Sequence, residues 1–249
     1  MPHVKVNDIE MNYEIHGEGQ PLVMIHGFTG SNHMWRPLIS ELGEHFKLIL
    51  PDMRGHGGST NPSGTFTHRQ SALDIYALLD HLKIDKFKAI GHSSGGNTLI
   101  HMATMKPERV TDMVLASATP YFIKETRELM AETSFDSIPS DRMELYRRIH
   151  IYGDEQIRML ADQFHGFKDS YDDMNFTPPY LSTIMARTLI VHGDRDEFFP
   201  VQIPLTLYGS IPRSYLWIVP NAGHGLFSPE PVYGFSRLCL DFLTGGWGG

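Results

Sequence analysis

Cysteine is almost absent from the chain, which has only Cys239 among 249 residues. A single cysteine excludes an intramolecular disulfide and any zinc site built from two or more thiolates. Its neighbours Leu238, Leu240 and Phe242 are typical of a buried segment, in which a lone thiol acts as a small apolar side chain. The sequence therefore suits a reducing compartment without requiring one.

Long hydrophobic runs are also absent. No stretch approaches the roughly 18 apolar residues that are needed to span a bilayer. The opening residues, MPHVKVND, do not contain the apolar segment of a signal peptide. These features predict a cytoplasmic protein that has no membrane partner.

Positive charge is in deficit, with 21 Lys and Arg against 29 Asp and Glu and a formal net charge of −8. A net-acidic chain lacks the overall field that would hold a phosphate backbone, so we expect no nucleic-acid partner. At about 100–200 residues per domain, the length allows one large domain or two small ones.

Short apolar runs alternate with helical patterns along most of the chain. This alternation predicts βαβ units, and thus an α/β fold with a mostly parallel, eight-stranded sheet and helices on both faces. The predicted strands are 3–6, 10–15, 21–25, 46–50, 88–91, 110–116, 188–191 and 215–219. The predicted helices are 33–42, 68–81, 97–105, 201–208 and 231–242.

Residues 119–182 interrupt the alternation because they contain no convincing buried strand. This segment has seven positive and twelve acidic side chains, and ten of its 64 residues are aromatic. A charged, aromatic-rich helical insertion is typical of a lid that is wet outside and apolar beneath. We therefore expect a core at 1–118 and 183–244, a helical lid at 119–182 after the sixth strand, and a flexible glycine-rich tail at 245–249.

The segment GHSSGG at 91–96 lies between a predicted strand and a predicted helix. A serine on such a sharp turn takes strained backbone angles, and a Cβ on either side would meet the strand or the helix. The turn exposes the hydroxyl at the carboxyl edge of the sheet, where the helix N-terminus favours negative charge. Ser93 is therefore the candidate nucleophile, with Gly91 and Gly95 as the glycines of the turn.

The segment HGFTG at 26–30 follows the buried run at 21–25. Acyl transfer develops negative charge on a carbonyl oxygen, and two preorganised backbone N–H groups stabilise it. Gly27 would let the main chain turn its amides inward. The predicted donors are the N–H groups of Phe28 and of Ser94, the residue after the candidate nucleophile.

Among 14 histidines, His224 lies in a loop, NAGHG, directly after the last predicted strand. A general base in such a loop reaches a serine proton without distorting a regular element. The loop HGDRDEFFP at 192–200 offers Asp194, Asp196 and Glu197 as the acid that orients the imidazole. From spacing alone, Asp194 and Asp196 are close rivals. The order serine, acid, histidine is that of one known triad class.

Five segments together resemble the α/β-hydrolases, and they follow the order of that family over nearly the whole chain outside 119–182. The resemblance implies the α/β-hydrolase fold. It also implies that the acid is the second aspartate of a G-x-x-D pattern, which is Asp196, and that residues 51–59 border the pocket. The segments are HGFTG at 26–30, PDMRGHGGS at 51–59, GHSSGG at 91–96, HGDRDEFFP at 192–200 and NAGHG at 221–225.

Some branches of the family fit these segments less well. Ser93 stands where haloalkane dehalogenases and epoxide hydrolases have aspartate, and Ser94 replaces the tryptophan that usually follows a dehalogenase nucleophile. HGFTG departs from the H-G-x-G-P-G loop that is usual in C–C hydrolases of meta-cleavage pathways. Plant hormone receptors of this fold usually lack the double glycine after the nucleophile. The chain is similar to small carboxylesterases, enol-lactonases, cofactor-free haloperoxidases and hydroxynitrile lyases.

The resulting prediction is a carboxylesterase-type serine hydrolase that cleaves esters or lactones of small to medium size. The alternatives on the same triad are C–C bond hydrolysis, hydroxynitrile lysis and perhydrolysis, and a ligand receptor of the same fold is a further one. We expect no metal and no cofactor, because the histidines show no ligand spacing. A monomer and a homodimer are both compatible with the sequence.

Overall fold

The protein is described by a computed structural model that covers residues 2–226 and 234–247. Eight strands form one sheet in the order β1-β2-β4-β3-β5-β6-β7-β8. Both pairs that involve β2 are antiparallel and the other five pairs are parallel. The strands are β1 (His3–Val6), β2 (Ile9–His16), β3 (Gln20–Ile25), β4 (Phe46–Pro51), β5 (Phe87–His92), β6 (Val110–Ala116), β7 (Arg187–Gly193) and β8 (Ser214–Val219).

The helices follow the predicted alternation, and α2 has the predicted bounds. The helix expected at 231–242 begins at Phe235, and residues 231–233 lie outside the described residues. Among the described residues, no helix combines the length and the apolar character needed to cross a bilayer. The helices are α1 (Arg36–Gly43), α2 (His68–His81), α3 (Ser94–Met105), α4 (Lys124–Glu132), α5 (Ser140–Ile149), α6 (Gly153–Gly166), α7 (Pro178–Leu181), α8 (Gln202–Ser210) and α9 (Phe235–Leu243).

Hydrophobic cores lie on both faces of the sheet. On β3, Leu22 and Met24 pack with the apolar side chains of α1 and α9, whereas Val23 and Ile25 pack with those of α2 and α3. A strand whose alternate side chains are all buried must lie between two layers of helices. The predicted fold class, a mostly parallel eight-stranded sheet with helices on both faces, is confirmed.

The parallel strands end at one edge of the sheet. Ile25 pairs with Gly91, Ala116 pairs with Val191, and Gly193 pairs with Val219. The loops that follow β3, β5, β7 and β8 therefore converge, which is the usual position of a ligand site in such sheets.

Between β6 and β7 the chain forms the four helices α4 to α7, outside the sheet. Arg127 on α4 connects this layer, because its guanidinium donates to the carbonyl groups of Phe122, Phe167, Lys168 and Ser170. The insertion is thus held together by hydrogen bonds of its own.

Part of the glycine-rich C-terminal segment packs on the core. The Trp247 ring lies 5.4 Å from that of Tyr215 and 5.7 Å from that of Phe242. These contacts place Trp247 in the folded layer beside α9, whereas the sequence predicted a flexible tail from 245 onwards. Residues 248–249 lie outside the described residues.

Candidate active site

Ser93 follows β5 and precedes α3, on a turn with strained backbone angles. Its φ is +50° and its ψ is −120°, a conformation that L-residues rarely adopt. A Cβ on Gly91 would lie 2.6 Å from the Gly95 carbonyl oxygen, and one on Gly95 would lie 2.1 Å from the carbonyl oxygen of Ile25. Only glycine fits at these two positions, so the local sequence dictates this turn.

Ser93, His224 and Asp196 form one hydrogen-bonded row, which we call the candidate triad. Ser93 Oγ lies 2.9 Å from His224 Nε2, and His224 Nδ1 lies 2.8 Å from Asp196 Oδ2. An ionised carboxylate only accepts hydrogen bonds, so Nδ1 holds the proton and Nε2 accepts from the serine. This is the arrangement that activates a serine hydroxyl as a nucleophile.

The Asp196 side chain is fully buried, and its second oxygen is also occupied. Oδ1 accepts the backbone N–H groups of Phe198 and Phe199, each at 2.9 Å. Burial by itself raises the pKa of Asp196, but the hydrogen bond from His224 and the Phe199 amide outweigh it and leave the pKa below its usual value. Asp196 is therefore an ionised, fixed acceptor.

The rival acid, Asp194, does not reach His224. Its side chain is 33% exposed and lies 3.9 Å from the Arg195 guanidinium. Glu197 contacts the base loop in another way, because its Oε2 accepts the backbone N–H of His224 at 3.1 Å. Among the three acids of this loop, the geometry of the triad is formed by Asp196.

The backbone carbonyl of His224 accepts hydrogen bonds from two side chains. Its carbonyl oxygen accepts the Nε2–H group of His92 at 2.9 Å and the hydroxyl of Ser117 at 3.1 Å. Burial is the main reason why the pKa of His92 falls to about 3, so this imidazole is neutral at physiological pH. Sequence spacing did not indicate these contacts of His92 and Ser117.

The two predicted oxyanion donors lie at the same edge. Ser94 is the first residue of α3, so its amide belongs to those that have no acceptor within the helix. For the Phe28 amide, we find no hydrogen-bond acceptor within residues 2–226 and 234–247. A Cβ on Gly27 would lie 2.8 Å from His92 Nδ1, so glycine is required where this loop passes the nucleophile turn.

His26 supports the loop at 26–30 through hydrogen bonds from its ring. Its Nδ1–H group donates to the Gly27 carbonyl at 2.7 Å, and its Nε2 accepts the Met53 amide at 3.0 Å. Both ring nitrogens are thus occupied. Burial lowers the pKa of His26, which fits this neutral role.

Side chains of the inserted helices hold the same loop from the other side. The Tyr146 hydroxyl bonds to Thr29 Oγ1 at 2.8 Å, and the Nε2–H group of His150 donates to the Thr29 carbonyl at 3.0 Å. His150 Nδ1 accepts the Gly57 amide at 3.0 Å, and burial lowers the pKa of His150 to about 4. Nothing in the sequence spacing identified these contacts, which span more than 90 residues.

Aromatic rings connect the candidate base with the oxyanion loop. The Phe198 ring lies 4.8 Å from His224 and 6.2 Å from Phe164, which in turn lies 5.9 Å from Phe28. We call the set formed by Phe28, Phe122, Phe164, Phe167 and Phe198 the aromatic wall. Two surface cavities of about 410 and 590 Å³ border α6 and contain none of the candidate triad. The triad thus faces the aromatic wall rather than these cavities.

The positive side chains of the insertion are either exposed or occupied, and Arg127, which is occupied, lies 5.7 Å from the Phe122 ring of the wall. Lys168 bonds to Asp169, and Arg127 donates to four carbonyl groups. Five others are exposed on the surface, namely Lys124, Arg142, Arg147, Arg148 and Arg158. Among the described residues, no lysine or arginine is hydrogen-bonded to Ser93, His224 or Asp196.

Sequence reasoning also missed a second hydrogen-bonded row beside the first. Ser94 Oγ lies 3.1 Å from His68 Nε2, and His68 Nδ1 lies 2.7 Å from Asp173 Oδ2. We call these three residues the Ser94 row. Because they come from positions far apart in the chain, only the tertiary fold reveals them.

Comparison with known proteins gives one matching family, described as "alpha/beta hydrolase fold", over residues 20–144. The chain is 30% identical to a 2-hydroxy-6-oxo-2,4-heptadienoate hydrolase of Pseudomonas putida, over 97% of this chain and 95% of that protein. Among solved structures it resembles a meta-cleavage product hydrolase from Pseudomonas fluorescens IP01, with 26% identity and a TM-score of 0.81 over 99% and 98% of the two chains.

A second solved structure, a thermophilic esterase from Thermogutta terrifontis, is 25% identical with a TM-score of 0.77 and covers 98% of each chain. HGFTG departs from the loop that is usual in C–C hydrolases, and this departure suggested a weaker similarity to them than the comparisons find. The family match covers half of the chain and the first relative covers nearly all of it. The chain belongs to the alpha/beta hydrolase fold family and is a hydrolase.

Proposed function

We propose that the protein is a serine hydrolase that cleaves uncharged carboxylic esters or lactones of small to medium size. The observation on which this depends is the candidate triad, with Ser93 2.9 Å from an imidazole whose other nitrogen bonds to a buried carboxylate. The proposal includes the role of residues 119–182 as a lid over the aromatic wall.

In the first half of the reaction, Ser93 Oγ attacks the substrate carbonyl while His224 Nε2 takes its proton. Asp196 keeps the proton on Nδ1 and stabilises the imidazolium that forms. The amides of Phe28 and Ser94 donate to the carbonyl oxygen as it becomes negative. Collapse of this intermediate expels the alcohol, which receives the proton from His224.

In the second half, water replaces the alcohol. His224 takes a proton from this water as the water oxygen attacks the acyl group on Ser93. When this intermediate collapses, His224 returns the proton to Ser93 Oγ and the acid leaves. Because Asp196 is fully buried and fixed by two amides, the imidazole keeps one orientation through both halves. No group beyond these side chains and amides is required.

The preference for uncharged substrates follows from the surroundings of the triad. A substrate carboxylate that enters an apolar site loses hydration, and it needs a cation or several donors in return. The wall consists of phenylalanine rings, and the positive side chains of the insertion are exposed or occupied. Residues 227–233, outside the described residues, contain no lysine or arginine.

The second candidate function is hydrolysis of a C–C bond next to a ketone. The observation that favours it is the 30% identity to the heptadienoate hydrolase over almost the whole chain. The substrate in that protein's name carries a carboxylate, and the guanidinium of Arg127 beside the Phe122 ring already donates to four carbonyl groups. The similarity to the solved esterase supports the ester proposal instead.

The two candidates are separated by assaying both substrates with the same enzyme. We expect serine-dependent release of p-nitrophenol from a series of esters, acetate through decanoate, with a maximum at short or medium chains. 2-Hydroxy-6-oxo-2,4-heptadienoate should be consumed at least a hundredfold more slowly than the best ester. The reverse ranking would replace the ester proposal with the C–C hydrolase.

Ser93→Ala is the key control variant. We expect it to lower kcat by roughly 10⁴–10⁶ while the fold remains intact, by analogy with triad knockouts in other enzymes. Ser40→Ala, an exposed position on α1, is the matched serine change and should leave kcat unaltered. Wild-type-like hydrolysis by Ser93→Ala would refute the assignment of the nucleophile.

A further inference from the structure

The Ser94 row repeats the spacing of the candidate triad one residue further along the chain. Its distances are 3.1 Å and 2.7 Å, against 2.9 Å and 2.8 Å in the triad. It joins the first residue of α3, the first residue of α2, and the segment between α6 and α7. Catalysis by the triad itself leaves this row without a role.

Asp173 is held as an ionised acceptor. It accepts the backbone N–H groups of His68 at 2.7 Å and Arg69 at 3.1 Å, in addition to the His68 ring. Burial by itself raises the pKa of Asp173, but hydrogen bonds from His101 and His68 outweigh it and hold the pKa well below its usual value. His68 Nδ1 therefore keeps its proton, and Nε2 faces the Ser94 hydroxyl as an acceptor.

The His68 ring is inserted into aromatic surroundings. It is completely buried, and its centroid lies 5.2 Å from Phe167, 5.4 Å from Phe66 and 6.0 Å from Phe122. Phe122 and Phe167 belong to the aromatic wall. Ser94 is itself only 5% exposed, so its hydroxyl is a buried polar group next to these rings. The same residue contributes one of the predicted oxyanion amides.

A serine hydroxyl has one proton and two lone pairs. When Ser94 donates its proton to His68 Nε2, the oxygen keeps capacity to accept one more hydrogen bond. Its amide nitrogen and Oγ are linked only through Cα and Cβ. A substrate whose carbonyl oxygen is held by the amide therefore brings the carbons nearest to that carbonyl close to Oγ.

We propose that Ser94 Oγ, oriented by His68 and Asp173, binds a hydroxyl group on the acyl part of the substrate. The preferred substrates would then be hydroxyacyl esters or hydroxylactones with the hydroxyl on the carbon α or β to the scissile carbonyl. Ser94 contacts the substrate, whereas His68 and Asp173 are positioning residues. The inference rests on the proposed function and adds the chemical class of the acyl group.

A purely structural role makes a different prediction. Asp173 caps the start of α2 by accepting hydrogen bonds from two backbone N–H groups. In a purely structural role, its loss would destabilise the fold and lower the rate for all substrates alike. A binding role changes the ratio of two rates that are measured on the same variant. The ratio of kcat/KM for p-nitrophenyl 3-hydroxybutyrate to that for p-nitrophenyl butyrate is therefore the decisive quantity.

For one enantiomer of the hydroxybutyrate ester, we expect the wild-type enzyme to show a kcat/KM about fivefold higher than for the butyrate ester. This factor corresponds to the free energy of a typical net hydrogen bond. Ser94→Ala keeps the amide but removes the hydroxyl, and should bring the ratio to about one. Ser94→Thr retains a hydroxyl and should recover part of the preference. Asp173→Asn should lower the ratio, whereas the exposed neighbour change Asp172→Asn should leave it unaltered.

Two results would overturn the inference while leaving ester hydrolysis intact. One is a wild-type ratio near one for both enantiomers, and the other is a preference that survives Ser94→Ala. If no ester is hydrolysed, the proposed function itself fails. The inference is then tested by protection of Ser93 from fluorophosphonate labelling with two uncharged amides, and equal protection by butyramide and 3-hydroxybutyramide would refute it.

Discussion

Replacement of Asp196 by asparagine should reverse the direction of hydrogen bonding at His224. In the native site Oδ1 accepts two backbone amides at 2.9 Å, and Oδ2 accepts the His224 Nδ1–H group at 2.8 Å. The asparagine oxygen must stay on the two amides, because an NH₂ group there would face two donors. The NH₂ group then takes the place of Oδ2 and makes Nδ1 an acceptor.

The proton consequently moves to Nε2, where it points at the Ser93 hydroxyl and blocks its activation. Rotating the amide to avoid this would leave two buried N–H groups unpaired, at about 1–3 kcal/mol each. In a serine protease, the same aspartate-to-asparagine change lowers kcat about 10⁴-fold. We expect a similar loss here, which corresponds to about 5.4 kcal/mol in the activation free energy.

Asp194→Asn is the matched control, two residues away in the same loop. Its side chain is 33% exposed and contacts Arg195 rather than the triad, so kcat should change by less than about twofold. Both variants are assayed by initial rates on the best p-nitrophenyl ester, with active-site titration and thermal unfolding to verify the fold. The reasoning is refuted if Asp196→Asn keeps more than a tenth of wild-type kcat, or if Asp194→Asn loses as much.

Three further changes test the support of the site. Gly95→Ala places a Cβ 2.1 Å from a carbonyl oxygen of β3 and should lower the free energy of unfolding in urea by at least about 3 kcal/mol. The control Gly209→Ala, in open space on α8, should raise it by about 0.5–1 kcal/mol, and equal effects would contradict the close approach of α3 to β3. Burial lowers the pKa of His150 to about 4, so between pH 6.5 and 4 the unfolded state binds a proton that the folded state does not, and the free energy of unfolding falls as the pH falls. His150→Gln should reduce this pH dependence by about 1.4 kcal/mol per pH unit, and an unchanged slope would refute the pKa shift. Tyr146→Phe removes the hydrogen bond to Thr29 and should lower kcat about three- to tenfold with little change in the unfolding midpoint. An unaltered kcat would show that the loop at 26–30 holds its position without this hydrogen bond.

The fold was predictable from the sequence because the buried parallel strands are short continuous apolar runs. Residues 21–25, for example, are apolar on both faces, and the structure buries alternate side chains of β3 in two cores. The last helix was less predictable. Pro231 suggested an earlier start for α9 than Phe235, where the described helix begins.

The candidate triad was predictable because each member comes directly after a strand, and the ends of parallel strands meet at one edge. Spacing alone did not separate Asp196 from Asp194, because two residues of separation in a loop do not fix the direction of a side chain. The resemblance to the α/β-hydrolases was what indicated Asp196. The structure distinguishes the two aspartates through the amides of Phe198 and Phe199, which hold Asp196 towards His224. The contacts of His150 and Tyr146 with Thr29 depend on how the inserted helices pack, which no local pattern encodes.

The two neighbouring serines illustrate how one turn separates two chemical roles. Ser93 has a strained φ of +50° and precedes the helix, so its hydroxyl projects from the edge of the sheet towards His224. Ser94 is already helical and only 5% exposed, and its hydroxyl turns towards the fully buried His68. A nucleophile needs both a base and free approach of the substrate carbon, and only Ser93 has both. Ser94 has the His68 imidazole as a partner, but its buried hydroxyl lacks free approach of a substrate carbon. It is therefore suited to hold an oxygen atom of the substrate by a hydrogen bond rather than to attack.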